Sequence, residues 1–408
     1  MRPLLLSGFG INVSVDKRNL VIYKHQNNEK IEFYPHQIPY DNVIIDGYYG
    51  NISFEALRWL SKHGITLSLL NWNGNLLSVT LPSEPISGKL KIKQYESYLD
   101  NEKRYETASK IIKQKVNKSY ELLSLLSKYY EFINMNEVKV IFDNELRNFD
   151  NNFHRISLSG NGNIKEHIRN IMSYEGRIAD YYWKTLSKIF NNLYPEFNFK
   201  SRKNKSYSQS MNASDYVNAL LNYGYAILES VIQTDINVIG LDPNIGFLHE
   251  INPSKRPLVY DLQELCRWLI DLSVIQLLED KKLKKSDFIV TENYHIRLRE
   301  SAARQLLDKI ALNFNKRTEF RGKMHTYDNI LLENIRNLAR SIENDNGSLK
   351  FEIPDIPIDR NDNTELRNQI MSITSDKRKR LGINKSTLWY QQKAIKEGKA
   401  IKIYTKNV

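Results

Sequence analysis

The chain has 408 residues, with 59 lysines and arginines against 47 aspartates and glutamates, a formal net charge of +12 and a pI near 9.3. That length suffices for two or three domains with separate cores, and that charge favours a polyanionic partner, nucleic acid above all. A single cysteine, Cys266, excludes an intramolecular disulfide framework and any cysteine-only zinc site.

No apolar run approaches the roughly 18 residues a membrane span needs, and no basic amphipathic helix stands at either end, so no membrane partner is expected. The opening MRPLLLSGFG is too short in leucine for a signal-peptide core, and a reducing, cytoplasmic location is expected.

In chain order, apolar-rich runs at 4–15 and 20–25 flank Asp16-Lys17-Arg18-Asn19 and predict a hairpin, and 43–46 predicts a further strand. Ser53 before Ala56, Leu57 and Leu60, with Gly64 as a stop, predicts an N-capped helix over 53–63. Residues 65–70 and 76–81 flank Asn73-Gly74, a strong hairpin signal. Turn residues at 82–88 then mark a break. Beyond it Ile112, Val116, Leu123 and Leu126 fall on one helical face, and helical patterning runs to Ile342.

The polar stretch 343–348 with Pro354 and Pro357 reads as a linker. After it Leu366, Ile370 and Ile373 fit one helix, 376–381 a second, and 385–396 a third capped by Asn384, with Gly382 at the turn. That is the pattern of a basic helix-turn-helix. The expected class is therefore α+β: an N-terminal β-rich domain (1–85), a linker (86–101), a larger all-helical catalytic domain (102–343), a linker (344–361) and a small helix-turn-helix domain (362–408).

Three distant segments carry the chemistry: 174–183 (YEGRIADYYW), 246–249 (GFLH) and 258–267 (LVYDLQELCR). As a helix, the first puts Glu175, Ala179 and Tyr182 on one face. In the third, Asp261 and Glu264 are one turn apart, so their mutual repulsion must be relieved by a cation, a shared proton or water. Two or three carboxylates with His249 suit Mn²⁺ or Mg²⁺, the imidazole tilting selection toward Mn²⁺. Taken singly, each has a structural alternative. Glu175 is then a dipole-favoured helix glutamate, His249 a satisfied loop histidine, and the acid pair a solvated helix start.

The order of these segments, with Val217-Asn218-Ala219-Leu220-Leu221, Tyr223-Gly224-Tyr225 and Arg256 between them, resembles the CRISPR-associated integrase family, the DNA-inserting enzymes of CRISPR adaptation. Ile38-Pro39, Ile52-Ser53, Ala56-Leu57, Gly64-Ile65 and Asn73-Gly74 extend the resemblance over the β region, and it spans roughly residues 4–342. The resemblance implies an N-terminal β domain, a helical domain holding the metal, and metal ligation by Glu175, His249 and Glu264 with Asp261 beside them. It also implies metal-dependent endonuclease and integrase chemistry, in which a 3′-hydroxyl attacks a phosphodiester of a duplex target. Where the family usually has Phe-Arg-Pro after the last acid, this chain has Cys266-Arg267-Trp268. The family's Arg- and Pro-rich loop before VNALL is here 203–214.

Candidates for gripping DNA phosphates are Arg177, Arg202, Lys203, Lys205, Arg256 and Arg267. In the tail they are Lys377, Arg378, Lys379, Arg380 and Lys385, with Ser386, Thr387 and Gln391 able to reach base edges or phosphates. The added basic tail resembles casposases, the transposon-encoded relatives, and places a casposase-type role slightly ahead of CRISPR spacer acquisition with a small partner protein. Concerted insertion of two ends implies a homodimer or higher assembly. Two other readings stand open: a nuclease that cuts without joining, and a non-catalytic helix-turn-helix regulator.

Overall fold

The computed structural model describes residues 1–356 except 48, 72, 82–86, 160–163, 203–212, 254, 292–294 and 345–348, and beyond these Met371, Ile373, Arg378 and 384–396; the side chains of 152–159, 391 and 394–396 are set aside as well. The chain divides into two compact units, Met1–Asp355 and Ile356–Val408.

The apolar run 4–15 does not form one strand. Gly8 and Gly10 sit at φ of +106° and +70°, a left-handed conformation that glycine adopts without steric cost. They divide the run into β1 (Pro3–Ser7) and β2 (Ile11–Asp16). The Asp16–Asn19 turn then pairs β2 antiparallel with β3 (Asn19–Lys24), as its sequence predicts. β4 (Glu29–Phe33) and β6 (Gly50–Ile52) complete a sheet of order β4-β3-β2-β6. A second sheet, β1-β5-β7-β8, is built from β5 (Asn42–Asp46), β7 (Thr66–Leu70) and β8 (Leu76–Thr80), with β7 and β8 antiparallel about the Asn73-Gly74 loop. Leu4, Leu6, Val13, Ile22, Val43 and Leu67 fill the core of the β region.

Helix α1 (Phe54–Lys62) packs on this core through Ala56, Trp59 and Leu60. Its N-cap is Ser53, whose hydroxyl accepts from the Ala56 amide at 3.1 Å. Ser53→Ala should lower stability by about 1 kcal/mol, read by urea denaturation, because that amide loses its side-chain acceptor.

The stretch 86–101, expected as a linker, holds helix α2 (Gly88–Leu99), which leads directly into α3 (Asn101–Leu126). The buried stripe of α3 includes Ile112, Val116, Leu123 and Leu126, as the periodicity predicts. It packs against α5 (Ile164–Leu193), which also carries α4 (Met135–Ser159). Helix α6 (Tyr216–Ile239) is buried on nearly every side, and α7 (Pro257–Gln263), α8 (Arg267–Glu279), α9 (Glu300–Phe314) and α10 (Tyr327–Glu343) pack around it.

This region is larger and mainly helical, but it is not all-helical. It carries two short antiparallel pairs, β9 (Phe288–Val290) with β10 (Ile296–Leu298), and β11 (Arg317–Phe320) with β12 (Lys323–Thr326). Each is only three or four residues per strand, too brief for period-two patterning to register.

The β region docks on α6 through buried polar groups. Asn42 donates to Ser230 Oγ at 3.2 Å and accepts from Ser68 at 3.1 Å, and Tyr223 and Arg297 both reach Asp46. Beyond 356, α11 (Lys385–Lys396) forms where the third helix of the expected helix-turn-helix lies, and Asn384 caps it by accepting from the Ser386 amide at 3.1 Å. The two helices expected before it fall almost wholly outside the described residues.

Candidate metal centre and active site

Glu175 lies in the fourth turn of α5 and shares a face with Ala179 and Tyr182, all three lining one cavity. Glu264 reaches the same cavity from the junction between α7 and α8. The expected single helix through Asp261 and Glu264 breaks there: α7 ends at Gln263, Leu265 and Cys266 turn back with i to i+3 hydrogen bonds, and α8 restarts at Arg267. The break sends the two acids to different partners.

Asp261 is fully buried and faces the Phe247–His249 loop. Its carboxylate accepts from the amides of Phe247, Leu248 (2.9 Å) and His249 (3.0 Å), and lies 2.7 Å from His249 Nδ1. Gly246 makes this approach feasible. A Cβ there would stand 2.7 Å from the Pro257 backbone and 2.8 Å from Asp261 Oδ2.

Glu264, 6% exposed, faces two cations instead. Lys115 Nζ from α3 is 2.8 Å from its Oε2, and Arg267 Nη1 is 3.0 Å from its Oε1. The same Lys115 ammonium is 2.7 Å from Glu175 Oε1, so one cation bridges the two carboxylates.

The electrostatics follow from that arrangement. Burial pushes the Glu264 carboxyl up, but Arg267 and Lys115 outweigh it and hold its pKa at about 2. Burial pulls Lys115 down, and Glu264 and Glu175 more than restore it. For His249, burial lowers the pKa but the Asp261 contact raises it further, leaving it above the ordinary histidine value.

Behind the cavity, Asp271 (3% exposed) accepts from Tyr182 Oη at 2.7 Å and from Tyr225 Oη. Burial keeps its carboxyl above the usual range. The guanidinium groups of Arg267 and Arg202 stand 4.4 and 5.1 Å from the Tyr225 ring, within cation–π range.

The predicted phosphate-gripping cations separate into groups. Arg267 and Arg202 are beside the cavity, Arg202 also reaching Asn222 Oδ1 at 2.8 Å. Arg177 is on α5 but turns to Glu145 at 2.7 Å. Arg256 precedes α7 and lies near Glu229, whose carboxyl burial raises to about 7. In the second unit Lys385 and Ser386 are exposed, and Thr387 and Arg378 half-buried. Lys203, Lys205, Lys377, Lys379 and Arg380, and the side chain of Gln391, lie outside the described residues.

Two residues of the site escaped the sequence reading, and each had a signal. Lys115 sits on the apolar stripe of α3 between Ile112 and Val116, and Asp271 interrupts the apolar run WLIDLSVI. A charge on a buried stripe demands a partner of opposite sign or a strong hydrogen bond.

Among the described residues, no group of three or more histidines, cysteines, aspartates and glutamates is closed around a metal position. The donors nevertheless fit one. Lys115 stands where a metal cation would, between two carboxylates, and its ammonium is the contact that the buried Glu264 Oε2 makes. His249 lies near enough to Glu264 to influence its charge. Asp261 holds Nδ1–H, which leaves the lone pair on Nε2, the arrangement in which histidines usually ligate metals.

This helical fold, with paired acids and an acid-oriented histidine in a basic chain, has the features of a nucleic-acid-processing enzyme. The profile of the family described as "CRISPR associated protein Cas1" matches residues 4–311, and the chain belongs to that family of integrases and endonucleases. It is 26% identical over 341 residues to CRISPR-associated endonuclease Cas1 1 of Archaeoglobus fulgidus, covering 82% of this chain and 95% of the relative. It is 30% identical over 258 residues to the Cas1 1 endonuclease of Thermodesulfovibrio yellowstonii, covering 62% and 73%.

Among solved structures, a casposase bound to its integration product superposes with a TM-score of 0.77 at 35% identity, over 91% of this chain and 99% of that one. TM1797, a Cas1 protein of Thermotoga maritima, shares the fold at a TM-score of 0.66 and 16% identity, over 86% and 99%.

Proposed function

We propose that this chain is a divalent-metal-dependent DNA integrase and endonuclease that transfers 3′-hydroxyl ends into duplex DNA, with a casposase-type role favoured. The observation that carries the reading is the convergence of Glu175 and Glu264 on one cation, beside a histidine whose Nδ1 is already engaged by Asp261.

Glu175, Glu264 and His249 Nε2 would hold Mn²⁺ or Mg²⁺, which supplies charge relief on the phosphodiester and lowers the pKa of the attacking hydroxyl. The chain's own residues do the rest. Asp261 fixes the His249 tautomer and ring orientation. Arg267 and Arg202 offer planar, permanently charged donors to non-bridging phosphate oxygens. Arg177, Lys203, Lys205 and Arg256 extend the backbone grip, and the tail around 377–391 adds a further duplex contact. Insertion of both ends of one DNA requires two such centres, so the working species is a dimer or higher assembly.

The similarity to a casposase at 35% identity over nearly the whole chain favours autonomous insertion. The CRISPR-associated names of the curated relatives favour the second reading, spacer acquisition with the small partner protein.

A strand-transfer assay decides between them. Purified full-length protein, a labelled 3′-OH oligonucleotide, supercoiled plasmid and Mn²⁺ should give plasmid-joined label that EDTA abolishes, with no partner present. Joining only after the small partner is added would transfer the protein to CRISPR adaptation. Cutting without joining under both conditions would leave a nuclease. Bound but unchanged DNA would leave a regulator.

A further inference from the structure

Lys115 occupies the bridging position between the two acids. Its ammonium is 2.7 and 2.8 Å from oxygens of Glu175 and Glu264, and no other cation is in contact with both among the described residues. With Arg267 on the second oxygen of Glu264, two carboxylates face two cations and the cluster is already neutral. A metal bound to the same oxygens needs contacts of about 2.0–2.2 Å, which puts it where the ammonium now is. A dication held by those oxygens would compete with Lys115 for the same place.

Replacement has a cost and a direction. Moving the ammonium away from two carboxylates in a poorly solvated cavity loses interactions worth far more there than in water. Lysine can move, since its charge rides on four flexible methylenes and its side chain is 22% exposed on the cavity side. The group that best compensates it is another anionic oxygen at the cavity mouth, and on this chain's proposed substrate that oxygen belongs to a phosphodiester.

We infer that Lys115 is a resident counter-cation that the divalent metal displaces, and that a DNA phosphate, by accepting the displaced ammonium, makes metal uptake and DNA binding reinforce each other. The inference rests on the metal-dependent reading of the site. Lys115 is thereby a positioning residue for the phosphodiester as well as a brake on metal loading in the absence of DNA. Linkage makes the effect reciprocal: whatever factor DNA adds to metal affinity, metal adds to DNA affinity.

The test is calorimetric titration of Mn²⁺ into full-length protein and Lys115→Met, each with and without a short 3′-OH duplex, corrected for Mn²⁺ bound by the duplex alone. Lys115→Met should bind Mn²⁺ about tenfold tighter than the unaltered protein without DNA, and the gain that DNA then adds should be smaller. Equal Mn²⁺ affinities in the two proteins would overturn the inference and leave the metal reading intact. No Mn²⁺ binding to either protein, with or without DNA, would remove the metal reading and the inference with it.

A second measurement needs no substitution. Lys115 acylation, followed by mass spectrometry, should be slow in the free protein and rise on adding Mn²⁺. An unchanged rate across a saturating Mn²⁺ titration would overturn displacement even if the variant failed to fold.

Discussion

Glu264→Ala is expected to abolish strand joining, lowering the rate by about a thousandfold or more, while duplex binding measured in metal-free buffer is kept or strengthened. The lower bound follows from metal sites in general. Loss of an outer partner alone costs roughly 10–100-fold in affinity or activity, and loss of a direct ligand exceeds that. DNA binding should not fall, because removing one carboxylate raises the net charge and releases both Lys115 and Arg267 from their shared acid. A gel-shift assay beside the joining assay separates the two effects; a parallel loss of both would mean that the site had collapsed.

The same residue predicts an acid limb. Its pKa of about 2 lies below the ordinary value of 4.5. Its contribution is therefore complete above about pH 4.5 and is lost as pH falls toward 2. The amount is on the order of 3 kcal/mol. Urea midpoints measured across that window should fall less steeply in Glu264→Gln than in the unaltered protein.

Asp261→Ala is expected to destabilise the fold by roughly 4 kcal/mol, since it strands three backbone N–H groups and the His249 ring nitrogen around a fully buried position. The urea midpoint read in metal-free buffer isolates this clamping role, since no metal bond contributes there. Activity should be lost as well, because a His249 ring free to rotate no longer presents one nitrogen. Asp261→Asn should fall between: one amide oxygen still accepts, but its NH₂ meets donors.

The sequence carried the motifs further than the architecture. Glu175, Ala179 and Tyr182 line one cavity face as their spacing predicts, because a long amphipathic helix enforces that geometry. Asp261 and Glu264 do not act as a pair, since whether a helix continues through Glu264 depends on the tertiary packing of α7 and α8, which no three-residue spacing encodes. Gly8 and Gly10 were in plain view, yet an apolar run on both sides masked the strand break they impose. Lys115 is 60 residues from Glu175 and 149 from Glu264 in the chain. Only the packing of α3 beside α5 brings it to them, and a charge on an apolar stripe announces that a partner exists without saying which.

Helix α6 has a consequence for how the protein is made. It is buried almost all round, and the helices that pack on it, α7, α8, α9 and α10, follow it in the chain, the last ending at Glu343. About 100 residues must therefore emerge from the ribosome between the end of α6 and its full enclosure, some 5–20 s at ordinary elongation rates. For that interval α6 has only the β region, which precedes it in the chain, to cover its surface. Truncations that end before α10 should therefore leave part of α6 uncovered and accumulate as aggregates.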